Sequence, residues 1–110
     1  MGNIKDVSTI VNLMLTREDV LQILRDNKER FAEKYGVIKL GLFGSFARNE
    51  ATAESDVDVC VELVEVTFDI MLDLQEEIME QTSRPVDLIH VRNRMNNLLK
   101  KRIERDAVYV

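Results

Sequence analysis

Two aspartates separated by one residue, Asp56 and Asp58, sit in a run where Val57, Val59, Val61 and Leu63 hold the other parity. On an extended strand, residues i and i+2 share a face about 6.6 Å apart, so both carboxylates project together while the valines point to a core. Like charges at that spacing repel, and an isolated fold gains nothing from them. A divalent cation reverses the balance, because carboxylates are hard oxygen ligands suited to Mg²⁺ or Mn²⁺. A third acid, Asp87, lies in a later apolar run, VDLIHV, between Val86 and Leu88. An aspartate buried in an apolar strand is costly without a partner. If the two strands are neighbours, three carboxylates converge. That is enough to hold two metal ions roughly 3.5–4 Å apart, the arrangement of in-line phosphoryl and nucleotidyl transfer.

Upstream, Gly44-Ser45 follows an apolar run and opens a helical turn, Phe46-Ala47-Arg48. Glycine lets backbone approach a phosphate closely, and the free N–H groups of a helix start attract an anion. The Ser45 hydroxyl can add a hydrogen bond, and Arg48 can hold a phosphate oxygen. Taken singly, each piece is common. Together they read G-S-x10-D-x-D from Gly44 to Asp58, with a strand before it and a strand acid after it.

The elements that must position these residues follow from periodicity. Thr16 with Asp19 resembles a capping box, with Asp where Glu or Gln is usual, after which Val20, Leu24, Phe31 and Tyr35 recur at helical spacing until Gly36 closes the helix. This predicts a helix over residues 17–35. Val37 to Phe43 reads as a buried strand, Phe46 to Glu54 as a turn and loop, and Val57 to Leu63 as the clearest strand. Phe68, Met71, Leu72, Leu74, Ile78 and Met79 form the apolar stripe of the next helix, which ends before Pro85. Val86 to Val91 is a third strand. Met95, Leu98, Leu99 and Ile103 mark a last helix, with Ala107 to Val110 as a possible edge strand. The economical architecture is α/β (α+β): a small mixed sheet flanked by helices. Residues 17–110 are one domain, and residues 1–16 are an extension in which 3–14 form either a short helix or a loose segment.

At 110 residues and 45% hydrophobic content, the chain fits a single globular domain. No apolar run approaches the roughly 18 residues of a membrane span. The start shows no convincing h-region or small-residue cleavage site, so no secretory signal is expected, and the lone Cys60 cannot form an internal disulfide, which suits a reducing cytoplasm. A net charge of −5 argues against general nucleic-acid binding. The charge is uneven: eleven carboxylates and no Lys or Arg from Asn49 to Ser83, then six basic residues against Glu104 alone from Arg92 to Arg105. The split reads either as solvated faces or as a site where acids hold cations and bases hold an anion or an acidic partner. His90 is expected as a strand-end residue, Cys60 and the methionines as packing.

The segment GLFGSFARNEATAESDVDVCVEL, with VDLIHV downstream, resembles the minimal nucleotidyltransferase group of the DNA polymerase β superfamily, over roughly residues 17–110. The resemblance implies that Gly44 and Ser45 hold a nucleoside triphosphate, most simply ATP. It implies that Asp56, Asp58 and Asp87 ligate two Mg²⁺ or Mn²⁺ ions, and that Arg48 matches a frequent basic position. Asn49 stands where the group often has glycine. It further implies a partner, a HEPN-type ribonuclease toxin, silenced by AMP transferred to one of its tyrosines. Two other readings stay open. One is a small-molecule adenylyltransferase of the aminoglycoside-modifying sort, which usually carries an added helical domain. The other is an antitoxin that neutralises its partner by contact alone.

Overall fold

The computed structural model describes residues 15–110; the segment 3–14, expected as a short helix or a loose stretch, lies outside the described residues. The first helix, α1 (Arg17–Tyr35), begins at the predicted capping box. The Asp19 N–H donates to the Thr16 hydroxyl at 3.1 Å, and the Thr16 N–H donates to the Asp19 carboxylate at 3.0 Å. It ends at Gly36, whose φ of 73° is the left-handed conformation that favours glycine, and whose N–H returns to the Ala32 and Phe31 carbonyls.

Strand β1 (Val37–Phe43) runs straight into a single helical turn, α2 (Gly44–Ala47), and a loop leads to β2 (Val57–Leu63). Helix α3 (Phe68–Thr82), strand β3 (Val86–His90), helix α4 (Asn97–Asp106) and the two-residue strand β4 (Val108–Tyr109) complete the chain. The sheet order is β3-β2-β1-β4, with β2 and β3 parallel and the other two pairs antiparallel. It is the expected small mixed sheet.

Side-chain alternation divides the molecule into two cores. Leu40 and Leu42 of β1 and Val57, Val59, Val61 and Leu63 of β2 pack with Val20, Leu24 and Phe31 of α1 and with Leu74 and Ile78 of α3. The opposite parity, Phe43 and Cys60, packs against Ile103 of α4, with Ile89, Met95 and Leu99 alongside. Asp58 belongs to this second parity, so it and its register partner Asp87 share the α4 face of the sheet. Cys60 is packing, as expected: it is buried, and desolvation pushes its thiol up to about 11.

The buried stripes of the last two helices are narrower than their periodicity predicts. Phe68 is 80% exposed and Leu98 73%, while Leu72 and Met79 are also exposed. Phe68 and Leu98 stand in the first turns of their helices. Met95 precedes α4 rather than lying on it. The side of α3 that faces the core instead includes Thr82, whose buried hydroxyl donates to the Ile78 carbonyl at 2.9 Å. Ile38 and Lys39 of β1 are exposed, so that strand is buried only from Leu40 onward and at its first residue.

Candidate active site

The order and register of the strands assemble the site. Phe43, the last residue of β1, pairs with Asp58 on β2, and Asp58 pairs with Asp87 on β3. The Gly44 corner and two of the acids therefore lie side by side across three adjacent strands, with Asp56 just ahead of β2. Asp58 is half-buried, and burial pushes its carboxyl above the usual carboxylate range. The neighbouring Asp87 charge adds to the rise, as does Asp56, while Arg102 and Arg48 pull the other way. Asp87 and Asp56 are exposed. The expectation that Asp87 is buried in an apolar strand is therefore corrected: β3 is an edge strand, and Asp87 reaches solvent on the α4 face.

Gly44 is the tightest point. Its φ is 74°, and a Cβ built on it would lie 2.0 Å from Oδ2 of Asp58 and 2.9 Å from its Cγ. Only glycine lets the corner close against that carboxylate. Ser45 follows on the same turn, half-buried, and the first N–H groups of a helical turn have no partner within it. The chain leaves the turn through Asn49, at φ 59°, where asparagine serves in the left-handed region as a glycine would.

Arg48 is committed more firmly than the sequence suggested. It donates from Nη1 to Asp106 at 2.7 Å and from Nε to Glu50 at 3.1 Å. Asp106, at the end of α4 with a side chain 2% exposed, also accepts two bonds from Arg105 at 2.7 and 3.0 Å. These bonds, those of Arg105 first, hold its carboxyl down at about 2. Arg48 thus ties the α2 corner to α4 and acts on Asp58 through its charge. A carboxylate held below its ordinary 3.8 stabilises the fold above that value, and the contribution is lost as pH falls toward 2. The stability gap between the wild type and Asp106→Asn, from urea midpoints, should be full at pH 5 and shrink as pH falls through that window.

Two cations near the site were not singled out by sequence. Arg102 is one of the six basic residues from Arg92 to Arg105, and the structure places its charge near enough to act on Asp58, with its guanidinium 6.0 Å from the Phe43 ring centroid. Arg84 escaped notice altogether; it is buried and bonded to the loop before Asp56. No local signal marked it. Much of the acidic run, by contrast, is a solvated face: Asp69, Asp73, Glu76 and Glu80 are exposed along α3. His90 ends β3, as expected.

The donor set fits hard divalent cations. Three carboxylates stand at one end of adjacent strands, one of them held at a cost beside another, and the Asp58 carboxylate takes the space a side chain at position 44 would fill. Among the described residues no three acid, histidine or cysteine groups are close enough to form a cage, so the three carboxylates expected to converge are not drawn together as a preformed site. A concavity of about 550 Å³ between α3, the end of β3 and α4 lies elsewhere. It is lined by residues such as Val66, Leu88 and Leu99 with no carboxylate, so the chemistry rests with the acidic corner.

The nucleotidyltransferase domain family matches residues 24–110, the span that contains the corner and all three acids. The chain belongs to that family. A Methanocaldococcus jannaschii protein provisionally named a protein adenylyltransferase is 40% identical over 100 residues, covering 88% of this chain and all of the relative. The protein adenylyltransferase MntA of Thermococcus cleftensis is 34% identical over 98 residues, covering 88% of this chain and 98% of its own. Within the nucleotidyltransferases, the chain therefore stands with the protein adenylyltransferases. The fold also matches a solved complex of a tri-AMPylated Shewanella oneidensis HEPN toxin with its MNT antitoxin. The TM-score is 0.54 at 18% identity, over 88% of this chain and 70% of that one. Among the described residues no helix of this nucleotidyltransferase is long and apolar enough to cross a membrane.

Proposed function

We propose that this nucleotidyltransferase transfers AMP from ATP to a tyrosine hydroxyl of a HEPN-type toxin in the cytoplasm, silencing it as the antitoxin of the pair. The observation that carries the reading is the register Phe43–Asp58–Asp87, which sets a glycine-serine corner against two strand carboxylates. The relatives named protein adenylyltransferases support the reaction. The fold shared with the antitoxin of a tri-AMPylated HEPN toxin supports the acceptor.

In this reading the N–H groups of the corner and the Ser45 hydroxyl hold the triphosphate, and Gly44 keeps the backbone close enough to do so. Asp56, Asp58 and Asp87 hold two Mg²⁺ or Mn²⁺ ions. Such ions supply Lewis-acid stabilisation of phosphate charge and favour deprotonation of the attacking hydroxyl. Arg48 and Arg102 balance the acids electrostatically. The acceptor oxygen bonds to the α-phosphorus as the bond to the bridging oxygen breaks, and pyrophosphate leaves with the electron pair. Asp87, exposed beside Asp58 across the β2–β3 register, accepts the hydroxyl proton.

Incubation with a HEPN-type toxin and Mg²⁺ should move label from α-labelled ATP onto the toxin, and none from γ-labelled ATP. A chelator should stop the transfer, and a Tyr→Phe toxin should not accept. Label arriving from the γ-position would identify a kinase instead and overturn the reading.

A further inference from the structure

Arg84 lies between Ser83, which ends α3 in the left-handed conformation, and Pro85, and it is only 9% exposed. A buried guanidinium needs partners. Here they are three backbone carbonyls. Nη1 lies 3.1 Å from the Thr52 oxygen, 2.8 Å from that of Ala53 and 3.2 Å from that of Ser55. These carbonyls curl around it because the segment closes on itself. The Thr52 N–H donates to the Ser55 hydroxyl at 2.8 Å, and the Ser55 N–H donates to the Thr52 carbonyl at 3.1 Å. Asp56 is the next residue.

The same guanidinium lies over the ring of Phe46, 5.6 Å from its centroid, and Phe46 directly follows Ser45. The carbonyl of the adjacent Pro85 accepts from the N–H of Val57 at 2.9 Å, between the two acids of D-x-D. Asp87 comes two residues later on β3. One side chain thus contacts the turn that delivers Asp56 and the helical turn that carries Ser45, at the root of the strand that carries Asp87. Among the described residues no carboxylate pairs with it. Its charge is spent on carbonyl geometry rather than on an ion pair.

We propose that Arg84 is a positioning residue that fixes the two D-x-D carboxylates relative to the Gly44-Ser45 corner. Residues 52–54 are exposed and have little core to hold them. A displacement of about 1 Å in such a site can cost roughly 10²-fold in rate, so a clamp on this loop acts on binding and chemistry without touching substrate. The role rests on the metal–nucleotide reading of the same corner.

Calorimetric binding of a non-hydrolysable ATP analogue, titrated against Mg²⁺, tests it without needing the acceptor. In Arg84→Met the Mg²⁺ needed for half-maximal analogue binding should rise about ten-fold, reflecting misplaced ligands. Arg84→Lys should recover to within about three-fold, because three ammonium N–H groups can meet the same carbonyls. Should methionine prevent folding, Arg84→Gln, which keeps an amide donor, carries the same comparison. A folded variant that loses thermal stability but keeps the wild-type Mg²⁺ requirement makes Arg84 a structural clamp only and overturns the proposal. Wild-type protein that binds no analogue with Mg²⁺ overturns the functional reading, and this role with it.

Discussion

Asp58→Asn should lower AMP transfer by roughly 10³-fold, since losing a shared cation ligand forfeits several kcal/mol of transition-state stabilisation. The fold should survive. Asp58 is half-buried beside Asp87, and its charge already stands at a cost in the folded protein. Removing that charge relieves repulsion across the β2–β3 register, so the melting temperature should equal or exceed the wild type's. Loss of activity with the fold retained separates chemistry from architecture. Labelling with α-labelled ATP gives the first number and thermal unfolding the second. If Asp58→Asn still silences the toxin as fully as the wild type, neutralisation works by contact and the catalytic role fails.

Gly44→Ala should be costly on both axes. The φ of 74° disfavours any side chain, and the added Cβ would overlap the Asp58 carboxylate at 2.0 Å. Asp58 must swing away or the corner must open. Left-handed strain with steric displacement puts the expected destabilisation at about 1–3 kcal/mol. Because either movement separates the phosphate cradle from the acid, activity should fall by roughly 10²-fold even in the folded fraction. Urea unfolding and label transfer normalised to folded protein distinguish the two losses. Wild-type activity in folded Gly44→Ala would mean that the corner does not hold the nucleotide.

These effects were legible to different degrees. The alternation Asp56-Val57-Asp58-Val59 marks the strand and its core-facing valines, because side chains alternate on an extended backbone whatever surrounds it. The strand begins at Val57, so it carries Asp58 while Asp56 stands just ahead of it. The capping box at Thr16, the glycine at position 36 and the Gly44-Ser45 corner are also local, written within a few residues, and each appeared where expected. Helix faces were less secure. Phe68 and Leu98 fit the apolar periodicity yet face solvent, because periodicity names a stripe but not the extent of sheet available to cover it.

What the chain alone determined was the set of chemical groups and the local conformations that carry them. Only the folded molecule decided their company. Asp58 meets Asp87 because β2 and β3 pair in parallel in one register, and Arg48 finds Asp106 58 residues away. Arg84 closes on carbonyls about 30 residues upstream. Such contacts follow from the packing of distant segments, where the energy depends on the whole core and no short window of sequence contains both partners.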